Sequence, residues 1–286
     1  MTRQNAIERA ADHYASGRFR SDLARRLAVP TESQNEKRSA ELGAYLREQI
    51  VPDLDALGFS SEIVENPLAG FGPFLIAERR EGADLPTVLI YGHGDVVPGQ
   101  EGAWREGLDP WTLVVEGERW YGRGTVDNKG QHSINIAALA AVMAARGGRL
   151  GFNAKLLIEM AEENGSPGLR DLARAHSQRL AADVLIASDG PRIAADRPTV
   201  FLGSRGAINF ELSIELREGG HHSGNWGGLL ANPGTILASA IASMVDSRGR
   251  ILVDALRPPP ISEEVRGALA GVAPGGGPDD PEIDAD

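Results

Sequence analysis

Three short, mostly apolar segments constrain what this chain can fold into more than any other feature of its sequence. They occupy residues 88–91 in LPTVLIYGHGDVV, 155–160 in AKLLIEMAEENG and 184–187 in ADVLIASDG. Runs of this length and composition are typical of buried strands. Helical patterns lie between them, at GQHSINIAALAAVMAARGG and GLRDLARAHSQRLA. This alternation predicts an α/β fold with a mostly parallel mixed sheet flanked by helices.

The two ends of the chain follow other patterns. The first fifty residues repeat apolar side chains at three- and four-residue spacing, which predicts helices. After GSRG at 203–206, the segment AINFELSIELRE alternates apolar and polar residues and predicts a half-exposed strand. ANPGTILASAIASMVDSRG predicts a helix, and RILVDAL a further strand. We therefore predict a catalytic part in residues 1–206 and a partial α+β domain in residues 207–286.

Composition narrows the classes of partner and site. The net charge of -11 and the pI of about 5.1 argue against a nucleic-acid partner, which normally meets a basic face. The chain has no cysteine, so disulfides and thiolate metal sites are excluded. The sequence shows no signal-type apolar run and no stretch long enough for a membrane span, so we predict a cytoplasmic protein without a membrane partner.

Side chains that can bind metals follow each of the three predicted strands. His93 and Asp95 come directly after the first strand, Glu162 and Glu163 after the second, and Asp189 after the third. The carboxyl ends of parallel strands meet at one edge of a sheet, so we expect these side chains to lie close together. Taken singly, each has an ordinary structural or solvated explanation. Their convergence at one edge favours a functional site.

The chemistry of this set suits a hydrolytic metal centre. Asp127, in the Gly-rich turn YGRGTVDNKG before the Ala-rich helix, can join the set. Imidazole and carboxylates bind divalent ions such as Zn²⁺, and a bridging carboxylate can hold two ions close together. In the adjacent pair Glu162 and Glu163, one carboxylate can bind metal while the other acts as general base. Asp95, two residues after His93, can orient the imidazole.

Other catalytic motifs are absent from the sequence. The pair Gly92 and Gly94 lacks the third glycine of a dinucleotide-binding loop, because position 97 is valine. There is no GxxxxGK[ST] phosphate-binding loop, no GxSxG nucleophile elbow and no cysteine nucleophile.

Five segments, in order and covering nearly the whole chain, resemble one family of metallohydrolases. The segments are YGHGDVVP, DPWTLVVEGERWYGRGTVDNKG, EMAEENGSPGL, ASDG and GGHHSGNWGG. The family includes acetylornithine deacetylase, succinyl-diaminopimelate desuccinylase, glutamate carboxypeptidase and the carnosine-type dipeptidases. YGRGTVDNKG and HSGNWGG are most similar to the dipeptidase branch.

The resemblance implies a centre of two divalent ions, either Zn²⁺ or, as alternatives, Co²⁺ or Mn²⁺. It implies that His93, Asp127 and Asp189 hold one ion. Asp127 would also bridge to the second ion, which Glu163 helps to hold. The family's second ion takes one more histidine from near the end of the catalytic domain, and none of the six histidines of this chain follows the segment that resembles the lid.

The resemblance also implies catalytic roles and an assembly. Glu162 would be the general base and Asp95 the orienting acid. His222 resembles the histidine of a ferredoxin-like lid and dimerisation domain, which reaches the active site of the partner subunit in a homodimer and steadies the developing oxyanion.

We therefore expect a hydrolase of the dipeptidase or exopeptidase type that acts on small peptides. Two alternatives remain open, a deacylase of N-acyl amino acids and an inactive fragment that keeps the ligands. The chain resembles a C-terminally truncated member of the family with an incomplete second metal site. By itself it is expected to bind about one ion tightly and to be inactive.

Overall fold

The computed structural model describes residues 3–192, 196–201 and 206–272, and separates the chain into two compact units, Met1–Gly190 and Pro191–Asp286. This boundary precedes the one predicted at 206/207. The predicted functional domains, 1–206 and 207–286, remain predictions.

The first unit is built on one five-stranded sheet. Its strands are β1 (Ser60–Val64), β2 (Phe74–Arg79), β3 (Thr87–His93), β6 (Asn153–Glu159) and β7 (Val184–Ala187), while β4 (Val114–Glu116) and β5 (Arg119–Tyr121) form a separate hairpin. The order across the sheet is β1-β2-β6-β3-β7. β3 pairs in parallel with β6 and β7, and β2 is antiparallel to β1 and β6. Within the five-stranded sheet, every strand except β2 therefore runs in one direction, so the prediction of a mostly parallel mixed sheet is confirmed.

Helices cover this sheet and supply much of its core. In the first unit they are α1 (Arg3–Ala15), α2 (Arg18–Leu27), α3 (Ser39–Tyr45), α4 (Val51–Ala56), α5 (Lys129–Ala145), α6 (Leu169–Ala175) and α7 (Ser177–Leu180). Buried side chains of α3, α4 and α5 pack with those of β2 and β6 in the largest apolar cluster. The Ala-rich α5 matches the predicted helix and ends before Gly147.

Two predicted helices are interrupted. The pattern from Asn35 to Phe59 forms α3 and α4 with a π-helical turn, Leu46–Ile50, between them. Pro52 lies in the first turn of α4 and has no N–H to continue the hydrogen-bond ladder from α3. The pattern at 168–181 forms α6 and α7, which are separated at His176.

The expectation that all three apolar strands are buried is wrong for β7. Every residue of β6 is buried, as predicted. In β7, Val184, Leu185 and Ile186 are 49%, 62% and 44% exposed. β7 pairs only with β3 and is an edge strand among the described residues, so its apolar side chains lack the cover that its composition predicts.

The described part of the second unit contains the helices α8 (Ser223–Trp226), α9 (Pro233–Met244) and α10 (Glu263–Leu269). α9 confirms the predicted helix, and the Asn232 side chain caps its first turn. No strand forms over 207–218, where the alternation predicts one, and no hydrogen bond between backbone groups joins this segment to another described residue. A strand needs a paired neighbour, which alternation alone does not supply.

The predicted strand RILVDAL is also absent from the described residues. Ile251 makes one isolated bridge with Val245, and Asp254–Leu256 is a 3₁₀ turn. The ferredoxin-like lid therefore remains a prediction. Among the helices of the described ranges, none combines the length and apolar character needed to cross a membrane.

Candidate metal centre

The strands β3, β6 and β7 end side by side and bring the predicted residues to one edge. His93, the last residue of β3, lies opposite Glu159 of β6, and Tyr91 lies opposite Ala187 of β7. Asp95 follows β3 by two residues, and Asp189 follows β7 by two. The parallel register therefore produces the convergence that the sequence predicts.

Two further segments contribute carboxylates to this edge. A 3₁₀ turn, Glu162–Asn164, follows β6 and carries the adjacent glutamates. Asp127 lies in the loop that leads into α5. Four separate parts of the chain therefore meet around the His93 imidazole.

The imidazole belongs to two groups of potential ligands. His93 Nε2 lies 2.9 Å from Asp127 Oδ1, 3.8 Å from Glu162 Oε2 and 3.9 Å from Asp189 Oδ2. The first group consists of His93, Asp127 and Glu163, and the second of His93, Glu162 and Asp189; within each group, one ligand atom per residue lies within 4.8 Å of the others. Ligand atoms bound at about 2.0–2.2 Å to one ion lie roughly 3–4 Å apart. The distances from His93 Nε2 to Glu162 and Asp189 lie in that range, and the distance to Asp127 lies just below it.

The electrostatics of the cluster favour a cation. Burial and the nearby charge of Asp127 raise the pKa of Glu163 to about 7. Burial, with the surrounding carboxylates, also raises the pKa of Glu162 and of Asp189 above their ordinary values. Like charges held together in a partly desolvated site are stabilised by a bound cation.

Asp95 connects the imidazole to the glutamate turn. Its side chain is fully buried, and Oδ1 lies 3.4 Å from His93 Nδ1. The backbone N–H groups of Glu162 and Glu163 donate to its two carboxylate oxygens, each at 3.1 Å. Nδ1 also lies 3.0 Å from the backbone oxygen of Asp95. These contacts direct His93 Nε2 toward the cluster, which is how residues behind a metal-binding histidine usually orient it.

Burial and the carboxylates act in opposite directions on His93. Burial of the ring lowers its pKa, but hydrogen bonds to Asp127 and Asp95 outweigh this effect and raise the pKa to about 11. The imidazole is thus placed where positive charge is favoured, and a metal ion would replace its proton.

The structure does not assemble every predicted site residue in one place. The ligand atoms of His93, Asp127 and Asp189 do not form one of the compact groups found among the described residues. His222 lies in the second unit, where its Nδ1 accepts the N–H of Gly224 at 3.1 Å. The ligand assignment and the lid role of His222 remain predictions.

Sequence reasoning missed two buried polar residues beside the cluster, Glu159 and Asn128. Tyr91 donates its hydroxyl to Glu159 Oε1 at 2.5 Å, and Ser166 Oγ donates to the same oxygen at 3.0 Å. Asn128, next to Asp127, is fully buried and hydrogen bonds to β3 and to the segment after β7. Its only sequence signal is its position inside YGRGTVDNKG.

A cavity of about 230 Å³ borders the first group of ligands. Asp127, Glu163 and Arg123 are among the residues that line it. The Arg123 guanidinium lies over the Trp104 ring, 5.9 Å from its centroid. A small polar substrate in this cavity would therefore lie beside the carboxylates that could hold a metal.

The comparison with known proteins agrees with this geometry. Residues 89–274 match the family described as Peptidase family M20/M25/M40. The chain belongs to this family. This M20 chain is 33% identical over 207 residues to the cysteinylglycine-S-conjugate dipeptidase of Corynebacterium striatum, covering 72% of the chain and 44% of that protein. It is also 33% identical over 239 residues to the Beta-Ala-His dipeptidase of Homo sapiens, covering 82% of the chain and 44% of that protein.

A solved structure shows the same fold. Human carnosine dipeptidase 1 superimposes with a TM-score of 0.73 at 26% identity, over 94% of this chain and 58% of that one. The M20 chain spans less than half the length of both curated relatives.

Proposed function

We propose that this M20 chain carries the metal-binding part of a hydrolase that cleaves the amide bond of dipeptides or of similarly small peptides. The observation that carries the proposal is the grouping of four carboxylates around the buried imidazole of His93 at one sheet edge. The matched relatives named as dipeptidases support the substrate class. The ligand chemistry supports Zn²⁺ as the metal, with Co²⁺ or Mn²⁺ as alternatives.

The residues can divide the work of hydrolysis among themselves. His93, Asp127, Glu163 and Asp189 would hold the metal, which when bound lowers the pKa of water and polarises the substrate carbonyl. Glu162 would take the proton of the attacking water and later deliver it to the leaving amine nitrogen. Burial raises the pKa of Glu162, which suits a group that must both accept and release a proton near neutral pH.

Asp95 would act on the reaction through its contacts rather than by proton transfer. It fixes the imidazole of His93 from behind and, through the backbone of the glutamate turn, the position of Glu162. A change at Asp95 would therefore displace a ligand and the base together.

Other parts of the proposal concern the whole protein. We propose that His222 steadies the oxyanion in the active site of the partner subunit of a homodimer formed through residues 207–286. A cytoplasmic location and a deacylase activity on N-acyl amino acids also remain proposals. Assays on each substrate class separate the two activities. Release of free amino acids from dipeptides indicates the dipeptidase, and release of the carboxylic acid from N-acyl amino acids indicates the deacylase.

The test uses protein expressed from the complete reading frame and loaded with Zn²⁺. Glu162→Gln keeps the size of the side chain but removes the base, so we expect unchanged metal content and a loss in kcat on the order of 10²–10⁴. Glu118→Gln changes an exposed glutamate outside the cluster and serves as the matched control. Near-normal kcat in Glu162→Gln with intact metal content would contradict the role of the base. If the metal-loaded parent protein hydrolyses neither dipeptides nor N-acyl amino acids, the proposed hydrolase function is contradicted.

A further inference from the structure

We propose that Asn128 is a positioning residue, whose side-chain amide fixes the distances among the ligands His93, Asp127 and Asp189. This inference rests on the proposed metal centre and concerns how the metal-free chain holds its ligands in place. Asn128 is a direct neighbour of Asp127 in sequence, and its side chain is fully buried.

The amide of Asn128 connects the ends of two strands. Its Oδ1 accepts the backbone N–H of His93, the last residue of β3, at 3.1 Å. Its Nδ2 donates to the backbone oxygen of Ser188, the residue before Asp189, at 2.5 Å. Both hydrogen bonds are made to the main chain, at or directly beside a ligand.

A further contact fixes the amide within α5. Nδ2 also donates to Gln131 Oε1 at 2.6 Å, and Gln131 Nε2 in turn donates to the backbone oxygen of Gly190 at 2.9 Å. The first turn of α5 therefore holds the residues on both sides of Asp189. Asp127, directly before Asn128, moves with the same turn.

Only an amide provides this combination of contacts without adding charge. The His93 contact needs an acceptor, and the Ser188 and Gln131 contacts need two donors. A carboxylate offers acceptors only and would add negative charge to a cluster that already contains several acidic groups. An apolar side chain would leave the buried N–H of His93 and the oxygen of Ser188 without these partners.

The close approach of β3 to Asn128 depends on Gly92. A Cβ atom built on Gly92 would lie 2.8 Å from Asn128 Oδ1 and 3.2 Å from His132 Cβ. Gly92→Ala therefore displaces the amide from β3 while Asn128 itself stays in the sequence. This second variant tests the contact separately from the residue.

The experiment titrates the metal-free 286-residue chain with Co²⁺, whose visible absorption reports the geometry of its ligands. Residues that orient metal ligands contribute about 10–100-fold to metal affinity. We expect Asn128→Leu and Gly92→Ala each to weaken Co²⁺ binding within that range and to alter the absorption spectrum. In Asn128→Leu, we also expect faster hydrogen exchange of the His93 amide in the metal-free state.

The matched control is Asn135→Ala, on the same helix. Asn135 Oδ1 accepts from the Ser188 hydroxyl at 3.2 Å, so this variant removes a contact to the same segment but leaves the backbone contacts of Asn128 in place. We expect the Co²⁺ affinity and spectrum of the parent chain.

The outcomes separate this inference from the proposed function. If Asn128→Leu or Gly92→Ala folds and binds Co²⁺ with the affinity and spectrum of the parent chain, the inference is overturned. Unfolding of both variants would also overturn it, since Asn128 would then hold the sheet rather than the ligands. If the parent chain itself binds no Co²⁺, the proposed metal centre fails, and this inference fails with it.

Discussion

At the residue scale, His93 has one ring nitrogen directed at the carboxylates, but it belongs to both groups of ligands. Its Nδ1 is occupied by contacts to Asp95. One imidazole nitrogen can bind only one ion, so the two groups cannot both be filled with a histidine ligand. The carboxylates of the other group would have to hold a second ion without nitrogen from this cluster.

Alanine variants of Asp127 and Asp189 test whether each carboxylate binds one ion or bridges two. In protein from the complete reading frame, we expect Asp127→Ala to lower the affinity for two ions, because the resemblance to the family implies that Asp127 bridges them. Asp189→Ala should weaken mainly one ion. Metal analysis after dialysis measures both effects, and loss of one ion in each variant would rule out a bridging Asp127.

At the scale of elements, the start of α5 packs directly on the loop that carries Asp127. The N–H of Gly130 donates to the oxygen of Gly124 at 3.0 Å. A Cβ atom on Gly130 would lie 1.8 Å from the backbone oxygen of Thr125. The helix and the loop therefore cannot keep their present separation if residue 130 has a side chain.

We expect Gly130→Ala to destabilise the chain by about 1–3 kcal/mol, the usual cost of overpacking. It should also weaken metal binding, because the displaced loop carries Asp127. Thermal unfolding and Zn²⁺ titration measure the two effects. The control is Gly102→Ala, because a Cβ atom there meets no atom within 4 Å. An unchanged melting temperature in Gly130→Ala would contradict the packing argument.

The elements predicted correctly are those that local pattern determines. β6 contains an apolar run at 156–158 and α5 one at 136–145, and the ends of the parallel strands predict where His93 and Asp189 lie. The strand predicted at 207–218 failed because pairing depends on residues distant in sequence. The contribution of Asn128 could not be predicted, since an asparagine before a helix is typical of an ordinary turn.

At the scale of the whole molecule, we expect the 286-residue chain to bind about one ion tightly and to show no dipeptide hydrolysis. Because the imidazole of His93 can bind only one ion, a second ion would have carboxylate ligands alone. Two carboxylates make a weak site for a Zn-like ion. Counting metal per purified chain and assaying dipeptides test this. Two tightly bound ions per chain together with turnover would overturn this prediction and would require a further ligand for the second ion.

The same chain should also self-associate. The edge strand β7 exposes Val184, Leu185 and Ile186, and apolar edge strands pair readily with other chains. Leu185→Lys places a charge on this strand, and light scattering should show less aggregation than in the parent chain. Ile7→Lys, a change at an exposed apolar residue of α1, is the control. Equal aggregation in the parent chain and both variants would exclude β7 as the cause.

The short pairing of β7 links metal binding to the docking of this strand. Among the described residues, β7 is the last strand of the sheet in sequence, and it pairs with β3 across four residue positions, from Val184 to Ala187. Asp189 follows this short pairing by two residues, and its Oδ2 lies 3.9 Å from His93 Nε2. An ion that binds Asp189 would shift the equilibrium toward the docked strand by mass action. At equilibrium, a larger fraction of metal-free chains than of metal-bound chains would therefore have this strand undocked.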